Sequence, residues 1–247
     1  MTEQKTVAFH TLGCKVNQYD TQAMRERFEQ AGYRTAEFDG PADIYVVNTC
    51  TVTGEADRKA RQFIRRAISR NPDAYIVVTG CFAQVSPQAV ADIGGVDAIC
   101  GNDRKLTSAG IVAGLIEGGH KNTSPTFYIG NIDAAGFEDM SISSFGRTRA
   151  CVKIEDGCES HCTYCIIPAA RGKIRSKVPE KVLDEIRTLT AGGCREVVLT
   201  GIETAAYGRD LDEVSLADLL EQVDSVPGIG RVRLGSMDPS LFKPDFI

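Results

Sequence analysis

Three cysteines, Cys158, Cys162 and Cys165, are spaced C-x3-C-x2-C in a short segment that follows a predicted strand. A tight loop of this kind can direct three thiolates at three irons of a cubane iron–sulfur cluster, which leaves one iron open. An open iron can coordinate a small molecule, so the spacing predicts a cluster that does chemistry beyond electron transfer. Zinc is the alternative, although zinc sites more often use paired C-x2-C elements or added histidines at set distances.

Cys14, Cys50 and Cys81 are far apart in sequence, yet each follows directly after one of the first three predicted strands. In an open parallel sheet the carboxyl ends of the strands share one crevice, which is where ligands usually bind. The pattern therefore predicts that these three thiols converge in space. The alternative is that they are buried cysteines that act as small hydrophobic side chains.

The chain has 247 residues, nine cysteines and a net charge of −5. An odd cysteine count without an export signal argues against a disulfide framework and favours metal or redox chemistry. Cys100, Cys151 and Cys194 form no set with one another, and His10 and His120 are isolated, so we interpret these five residues as structural.

The N-terminal segment lacks the pattern of a secretory leader, and no stretch approaches the roughly 18 apolar residues of a membrane span. We therefore expect a cytoplasmic protein without a membrane partner. Because the net charge is negative, any contact with RNA would have to come from a local basic patch.

Residues 1–120 show strands that alternate with helices. Apolar runs predict strands over 6–12, 43–49, 74–79 and near 97–100, and helical patterns occupy about 18–31, 53–70 and 103–117, with a short helix after Ser86. Parallel strands need crossover helices, so this order predicts an α/β fold with a small doubly wound parallel sheet.

Residues 121–147 are rich in Gly, Ser, Thr and Asn, which predicts a linker between that first domain and a second domain over 148–247. The second domain has strand patterns at 149–155, 195–200 and 231–236, with helices near 182–191 and 216–226. A barrel typically needs about six to eight strands, so three cannot close one. We expect either a fragment or a partner that completes the barrel.

The C-x3-C-x2-C loop, with Tyr164 directly before the last cysteine, resembles the signature of radical S-adenosylmethionine enzymes. Together with the three upstream cysteines, it resembles the methylthiotransferase family over essentially the whole chain. The segments that most resemble the branch acting on N6-threonylcarbamoyladenosine in tRNA are GCKVNQYD, NTCTVT, TGCFAQ, DGCESHCTYCIIPAARG and RVRLGSMDPS. Methylthiotransfer to N6-isopentenyladenosine in tRNA or to a ribosomal protein is the near alternative, and a non-catalytic iron–sulfur fragment or electron carrier is the distant one.

The resemblance implies that the second domain is the first part of a radical SAM (β/α) partial barrel. It further implies two [4Fe–4S] clusters. Cys158, Cys162 and Cys165 would hold the cluster that binds S-adenosyl-L-methionine and yields a 5′-deoxyadenosyl radical. An auxiliary cluster that carries or donates sulfur would be held by Cys14, Cys50 and Cys81. Complete relatives have further barrel strands and a TRAM-type RNA-binding domain, and this chain ends before either.

The resemblance also suggests residues around the cofactor. Tyr164 would lie near the adenine of S-adenosylmethionine, and Gly201 and Glu203 near its amino group. The structural alternatives are a packed aromatic ring for Tyr164 and an exposed loop carboxylate for Glu203. The implied partners are tRNA and an electron donor such as flavodoxin or ferredoxin.

Two basic stretches are candidates for contact with tRNA phosphates. The run that follows the loop with Cys158, Cys162 and Cys165, which is the second cysteine loop in chain order, comprises Arg171, Lys173, Arg175 and Lys177. The predicted helix 53–70 also carries several cations, which could equally form an ordinary solvated face. The first stretch is the better candidate because it lies beside the expected active site.

Overall fold

The computed structural model describes residues 4–119, 121, 124–146, 148–212 and 214–238. The first region contains β1 (Thr6–Thr11), α1 (Lys15–Gln30), β2 (Arg34–Ala36), β3 (Ile44–Thr49), α2 (Gly54–Arg70), β4 (Tyr75–Gly80), α3 (Cys81–Val85), α4 (Pro87–Ala91), β5 (Ala98–Cys100), α5 (Ser108–Glu117) and β6 (Thr126–Tyr128). The second region contains β7 (Ala150–Lys153), β8 (Glu155–Asp156), α6 (Ile167–Arg171), β9 (Arg175–Ser176), α7 (Pro179–Ala191), β10 (Glu196–Thr200), α8 (Leu216–Asp224) and β11 (Arg231–Leu234). No helix in the described ranges is long and apolar enough to cross a membrane.

The first region is a six-stranded sheet in the order β2-β1-β3-β4-β5-β6, in which every neighbouring pair is parallel. Successive strand residues point to opposite faces, so Val7 and Ile44 pack with α1 and α5 while Ala8 and Tyr45 pack with α2. Helices cover both faces, which explains why β3 is apolar and buried along most of its length. The predicted doubly wound parallel sheet is confirmed.

The sequence missed two edge strands, β2 and β6, each of three residues. Both segments are too short for alternation to be read from the sequence, and both become strands by adding to an existing edge. β6 lies within the segment predicted as a linker, and Met140 and Ile142 of that segment are buried. The segment is thus packed onto both regions, and the exact domain boundary stays a prediction.

The second region is built on a parallel sheet in the order β11-β10-β7, covered by α7 and α8. A short antiparallel pair, β8 with β9, follows directly after β7. Three parallel β/α strands agree with the predicted partial barrel. Tyr19 and Ala23 of α1 pack into the core of this second sheet, while Met24 and Phe28 of the same helix pack on the first sheet. One helix therefore serves both cores.

Candidate iron–sulfur centre

The three upstream cysteines lie at the carboxyl ends of neighbouring strands. Cys14 directly precedes α1, Cys50 follows β3, and Cys81 is the first residue of α3 after β4. The helix after β1 packs on one face of the sheet and the helix after β3 on the other. Cys14 and Cys50 thus flank a topological switch point, which is the usual ligand crevice of an open α/β sheet.

The thiols of this set are close enough to influence one another. A Cβ placed on Gly13 would lie 2.9 Å from the Cys50 sulfur, so the loop that carries Cys14 runs directly against Cys50. Burial raises the pKa of the Cys50 thiol, and the neighbouring Cys81 and Cys14 raise it further. Binding to a metal removes the thiol proton, so such a cluster of thiols is suited to a cationic iron centre.

Gly80 fixes the position of Cys81, because its backbone adopts φ +95° and a Cβ there would lie 2.3 Å from the carbonyl oxygen of Thr49. Gly32 has a similar φ of +90° but faces open space. We therefore expect Gly32→Ala to cost about 1–2 kcal/mol for its backbone conformation alone. Gly80→Ala should cost more because the added methyl group also displaces β3.

Urea unfolding of the two glycine variants measures this difference. Equal midpoints would show that the close approach of Gly80 to Thr49 places no constraint on the cysteine loops.

The second cysteine set lies on the loop between β8 and α6. The loop is anchored by the Cys158 amide, which donates to the Gly172 carbonyl (3.0 Å), and it turns where the Cys165 amide donates to the Cys162 carbonyl (2.9 Å). Cys162 is exposed, and Cys158 and Cys165 are partly exposed. Because this loop is anchored at its base and its three thiols are accessible, they can bind a group at the protein surface.

The donor chemistry of both sets fits iron–sulfur clusters, which cysteine thiolates hold. All nine cysteines lie in the described residues, and none forms a disulfide. Within those residues no three His, Cys, Asp or Glu side chains are gathered tightly enough for a single metal ion. The thiolates of a cubane cluster bind separate irons, so they lie farther apart from one another than the ligands of a single metal ion.

Gly201 and Glu203 both lie against Glu155, a buried carboxyl group that the sequence did not identify as part of the site. The Glu203 amide donates to Glu155 Oε2 (2.8 Å), and a Cβ on Gly201 would lie 2.3 Å from the same oxygen. Burial raises the pKa of Glu155 well above its usual value, and Asp156 raises it further. In the sequence, the sign of this buried group was a carboxylate, Glu155, at the end of a mostly apolar predicted strand.

Tyr164 is 89% exposed, so its ring is not a packed core side chain.

The prediction that the second basic run contacts phosphates is wrong for Arg171, Arg175 and Lys177. All three are buried and use their charged groups internally. Arg171 pairs with Asp156, Arg175 donates to the carbonyls of Ile132 and Arg171, and Lys177 binds Glu185. Arg175 and Lys177 donate to the carbonyls of Ile132 and Met140, so the segment that precedes β7 packs against this run. Only Lys173 is exposed.

A buried ion network joins the two regions and was not found from the sequence. Asp20 of α1 accepts from Lys105 (2.5 Å) and from Lys153 of β7 (2.6 Å). Lys153 and Arg171 also pair with Asp156, which directly precedes the second cysteine loop. Burial alone would raise the pKa of Asp20, but the surrounding cations outweigh it and lower the pKa.

The remaining cysteines and His10 have structural surroundings. Cys100 is fully buried in the first core, and burial raises the pKa of its thiol to about 12. Cys151 is buried in β7, and Cys194 packs against the second core. His10 stacks on Phe63 with 3.6 Å between ring centroids. His120 lies outside the described residues.

Two family models match separate parts of the chain. Residues 6–101 match the family described as uncharacterized protein family UPF0004, and residues 152–241 match the radical SAM superfamily. The first match covers the first five strands of the sheet and includes Cys14, Cys50 and Cys81. The second covers the loop with Cys158, Cys162 and Cys165, and the superfamily implies an S-adenosylmethionine site with one [4Fe–4S] cluster.

Curated relatives match both regions together. The threonylcarbamoyladenosine tRNA methylthiotransferase MtaB of Bacillus subtilis (strain 168) is 45% identical over 98% of this chain and 53% of its own length. The protein of the same name from Aquifex aeolicus (strain VF5) is 40% identical over 94% of this chain and 56% of its own length. The tRNA-2-methylthio-N(6)-dimethylallyladenosine synthase of Desulfosudis oleivorans is 30% identical over 98% of this chain and 52% of its own length.

The chain thus spans about half the length of the curated relatives it matches. A solved structure of the radical S-adenosylmethionine methyltransferase TsrM from Kitasatospora setae superposes with a TM-score of 0.58. That match covers 98% of this chain and 58% of the other at 16% identity, so the likeness concerns the fold alone. The two matched regions, their order and the identity to relatives that share both make the chain similar to the radical SAM methylthiotransferases over both regions.

Proposed function

We propose that this chain carries the catalytic region of a tRNA (N6-L-threonylcarbamoyladenosine-C2)-methylthiotransferase. Such an enzyme inserts a methylthio group at C2 of the modified adenosine at position 37, next to the anticodon. The observation that carries the proposal is the presence of two three-cysteine sets, one at the carboxyl edge of the first sheet and one on the loop before α6, in a chain 45% identical to a relative named for this activity. Identity is lower, 30%, to the relative named for dimethylallyladenosine, which favours the threonylcarbamoyl substrate.

Cys158, Cys162 and Cys165 would hold the [4Fe–4S] cluster that binds S-adenosylmethionine, and Cys14, Cys50 and Cys81 a second [4Fe–4S] cluster. When bound, these groups supply a radical that activates an adenine C–H bond and the sulfur that replaces the hydrogen. The chain itself orients them and limits access of water. Cys50 and Cys81 are buried and Cys14 is exposed, so the sulfur-donating side would be shielded in part, whereas the loop with Cys158, Cys162 and Cys165 would be open to an incoming substrate.

Glu155, Gly201 and Glu203 would define the S-adenosylmethionine side of the site. Gly201 lets the backbone approach Glu155, and the Glu203 amide holds that carboxyl group in place. A carboxyl group of Glu203 near the bound amino group would supply charge complementarity. The exposed Tyr164 ring is available to contact an adenine face.

The tRNA would contact exposed cations outside the buried run. Lys173 remains available near the second loop, and α2, which starts four residues after Cys50, carries a further exposed set. Its exposed cations are Arg58, Lys59, Arg65, Arg66 and Arg70. Arg58 pairs with Glu55 and Arg66 pairs with Asp39, and the other exposed cations of α2 can contact phosphates.

An electron donor such as flavodoxin or ferredoxin would reduce the clusters, and a cytoplasmic location accords with a tRNA substrate.

Reductive cleavage of S-adenosylmethionine by the reconstituted chain tests the radical chemistry. We expect 5′-deoxyadenosine from the wild type, and only background amounts from Cys165→Ala, which removes a ligand of the open-iron cluster. Cys194→Ala is the matched control, because Cys194 packs against the second core away from both loops, and it should retain the activity. An electron carrier would give no 5′-deoxyadenosine from the wild type either.

Nucleoside mass spectrometry tests the substrate. Cells that lack the gene should lose 2-methylthio-N6-threonylcarbamoyladenosine and retain other methylthio nucleosides. Loss of the isopentenyl derivative instead would assign the chain to the other tRNA branch. If all tRNA nucleosides are unchanged, a ribosomal protein becomes the substrate to examine.

A further inference from the structure

We propose that Arg171 is a positioning residue for the group held by Cys14, Cys50 and Cys81: its Nε–H donates a hydrogen bond to a sulfur of that group, and its charge raises the group's reduction potential. The inference rests on the second cluster of the proposed function and assigns a role to a residue of the radical SAM region. It makes α6 the structural link between the two cluster sites.

The guanidinium of Arg171 is fully buried, and one of its donors lacks a partner. Nη1 donates to both carboxylate oxygens of Asp156 (2.9 Å each), and Nη2 donates to Asn17 Oδ1. Nε has no hydrogen-bond partner in the protein. A buried donor on a charged group without an acceptor is unfavourable, so it indicates a missing acceptor on that side of the guanidinium.

Two asparagine side chains place that unpaired donor beside the N-terminal cysteine set. Asn17, which accepts from Arg171, donates to the carbonyls of Leu12 and Thr49, the residues just before the Cys14 and Cys50 loops. Asn102 donates to the Ala170 carbonyl (2.7 Å), and its Nδ2 lies 3.7 Å from the Cys81 sulfur. Arg171 is thus linked through Asn17 to the loops of Cys14 and Cys50, and its neighbour Ala170 is linked through Asn102 to Cys81.

The charges around Arg171 agree with an anionic group at the cysteine site. Burial alone would lower the pKa of Arg171, but Asp156, Cys81, Asp20 and Cys14 together raise it well above its usual value. Three cations, Lys105, Lys153 and Arg171, share only two carboxylates in the ion-paired network.

Two further charged residues lie near this network. Arg175 adds another buried cation that acts on Asp156, and the partly buried Glu138 lies close enough to Lys153 and Lys105 for their charges to act on its carboxyl group. Negative charge on a thiolate-bound cluster would further neutralise these buried cations.

The reduction potential of an iron–sulfur cluster depends on net charge, on hydrogen bonds to its sulfurs and on solvent exposure. Reduction adds negative charge, so a nearby cation and an N–H donor both favour the reduced form. Loss of the Arg171 side chain should therefore make the second cluster harder to reduce. The cysteines Cys81 and Cys14, which act on the charge of Arg171, both belong to the upstream set.

The test uses the full chain with Cys158, Cys162 and Cys165 replaced by alanine, so that only the second cluster gives a signal. Its midpoint potential is measured by a redox titration followed by electron paramagnetic resonance. Arg171→Gln should shift the potential to a more negative value, and Arg171→Lys, which keeps the charge and loses Nε, should shift it less. Lys173→Gln removes an exposed charge two residues away and should leave the potential unchanged. Unshifted potentials in both Arg171 variants would overturn the inference.

A second measurement detects Arg171 directly, before any substitution at that position. In the same background, labelling with [15N]arginine should give a 15N coupling to the reduced cluster in pulsed electron paramagnetic resonance spectra, and Arg171→Lys should remove it. Absence of that coupling before substitution would also overturn the inference. A background chain that binds no iron would instead refute the second cluster itself and, with it, the role of Arg171.

Discussion

Anaerobic reconstitution of the wild-type chain should give about eight irons, and about four in the Cys158, Cys162, Cys165 triple alanine variant. The reason is that the two cysteine sets lie on different elements, one at the carboxyl edge of the first sheet and one on the loop before α6. Removal of one set leaves the backbone and the thiols of the other unchanged. Iron and acid-labile sulfide counting measures both numbers.

The complementary variant, with Cys14, Cys50 and Cys81 replaced by alanine, should also hold about four irons. Cys194→Ala is the control and should keep the full count, because Cys194 packs against the second core. A wild-type count of four that falls to none in the first variant would show that the upstream cysteines are not cluster ligands. The proposal would then reduce to radical chemistry without methylthiotransfer.

Asp20→Ala should destabilise the protein by about 3–5 kcal/mol, the range typical when one partner of a buried ion pair is removed. Asp20 accepts from Lys105 and Lys153, and both lysines are buried. Without the carboxylate their charges have no sufficient partner within the core. The midpoint of urea unfolding, followed by circular dichroism, measures the loss.

Asp39→Ala is the matched control for Asp20→Ala. Asp39 also forms an ion pair, with Arg66, but both side chains are largely exposed. Exposed pairs contribute little because water and salt screen them, so this variant should unfold close to the wild type. Equal midpoints for the two variants would show that the buried network does not hold the two regions together.

Much of the fold could be predicted because its signals are local. The apolar runs over 43–49 and 74–79 are long enough to identify central strands, and each cysteine of the upstream set directly follows such a run. Convergence of those cysteines then follows from the parallel order of the strands. β2 and β6 escaped prediction because a three-residue edge strand forms only where a neighbouring strand offers hydrogen bonds.

The burial of the basic run could not be predicted from its own sequence. Four cations at alternate positions look like a solvated strand face, and the buried network that takes up Arg171 includes Asp20 from the distant helix α1. Lys153, for example, pairs with a carboxylate 133 residues earlier. One signal was present: Lys153 and Glu155 interrupt an otherwise apolar strand, and a charged residue in such a strand usually has a buried partner.

The shared helix α1 has a consequence for how the protein folds and diversifies. It belongs to the region that matches one family model, yet it contributes Tyr19 to the core of the region that matches the other, and the Tyr19 hydroxyl donates to Glu185 there (2.9 Å). Each half on its own would expose an apolar stripe to water. The two halves are therefore one cooperative unit, and a substitution on the inner surface of α1 changes the packing of both cores. Exchange of either half between relatives would succeed only together with the matching surface of this helix.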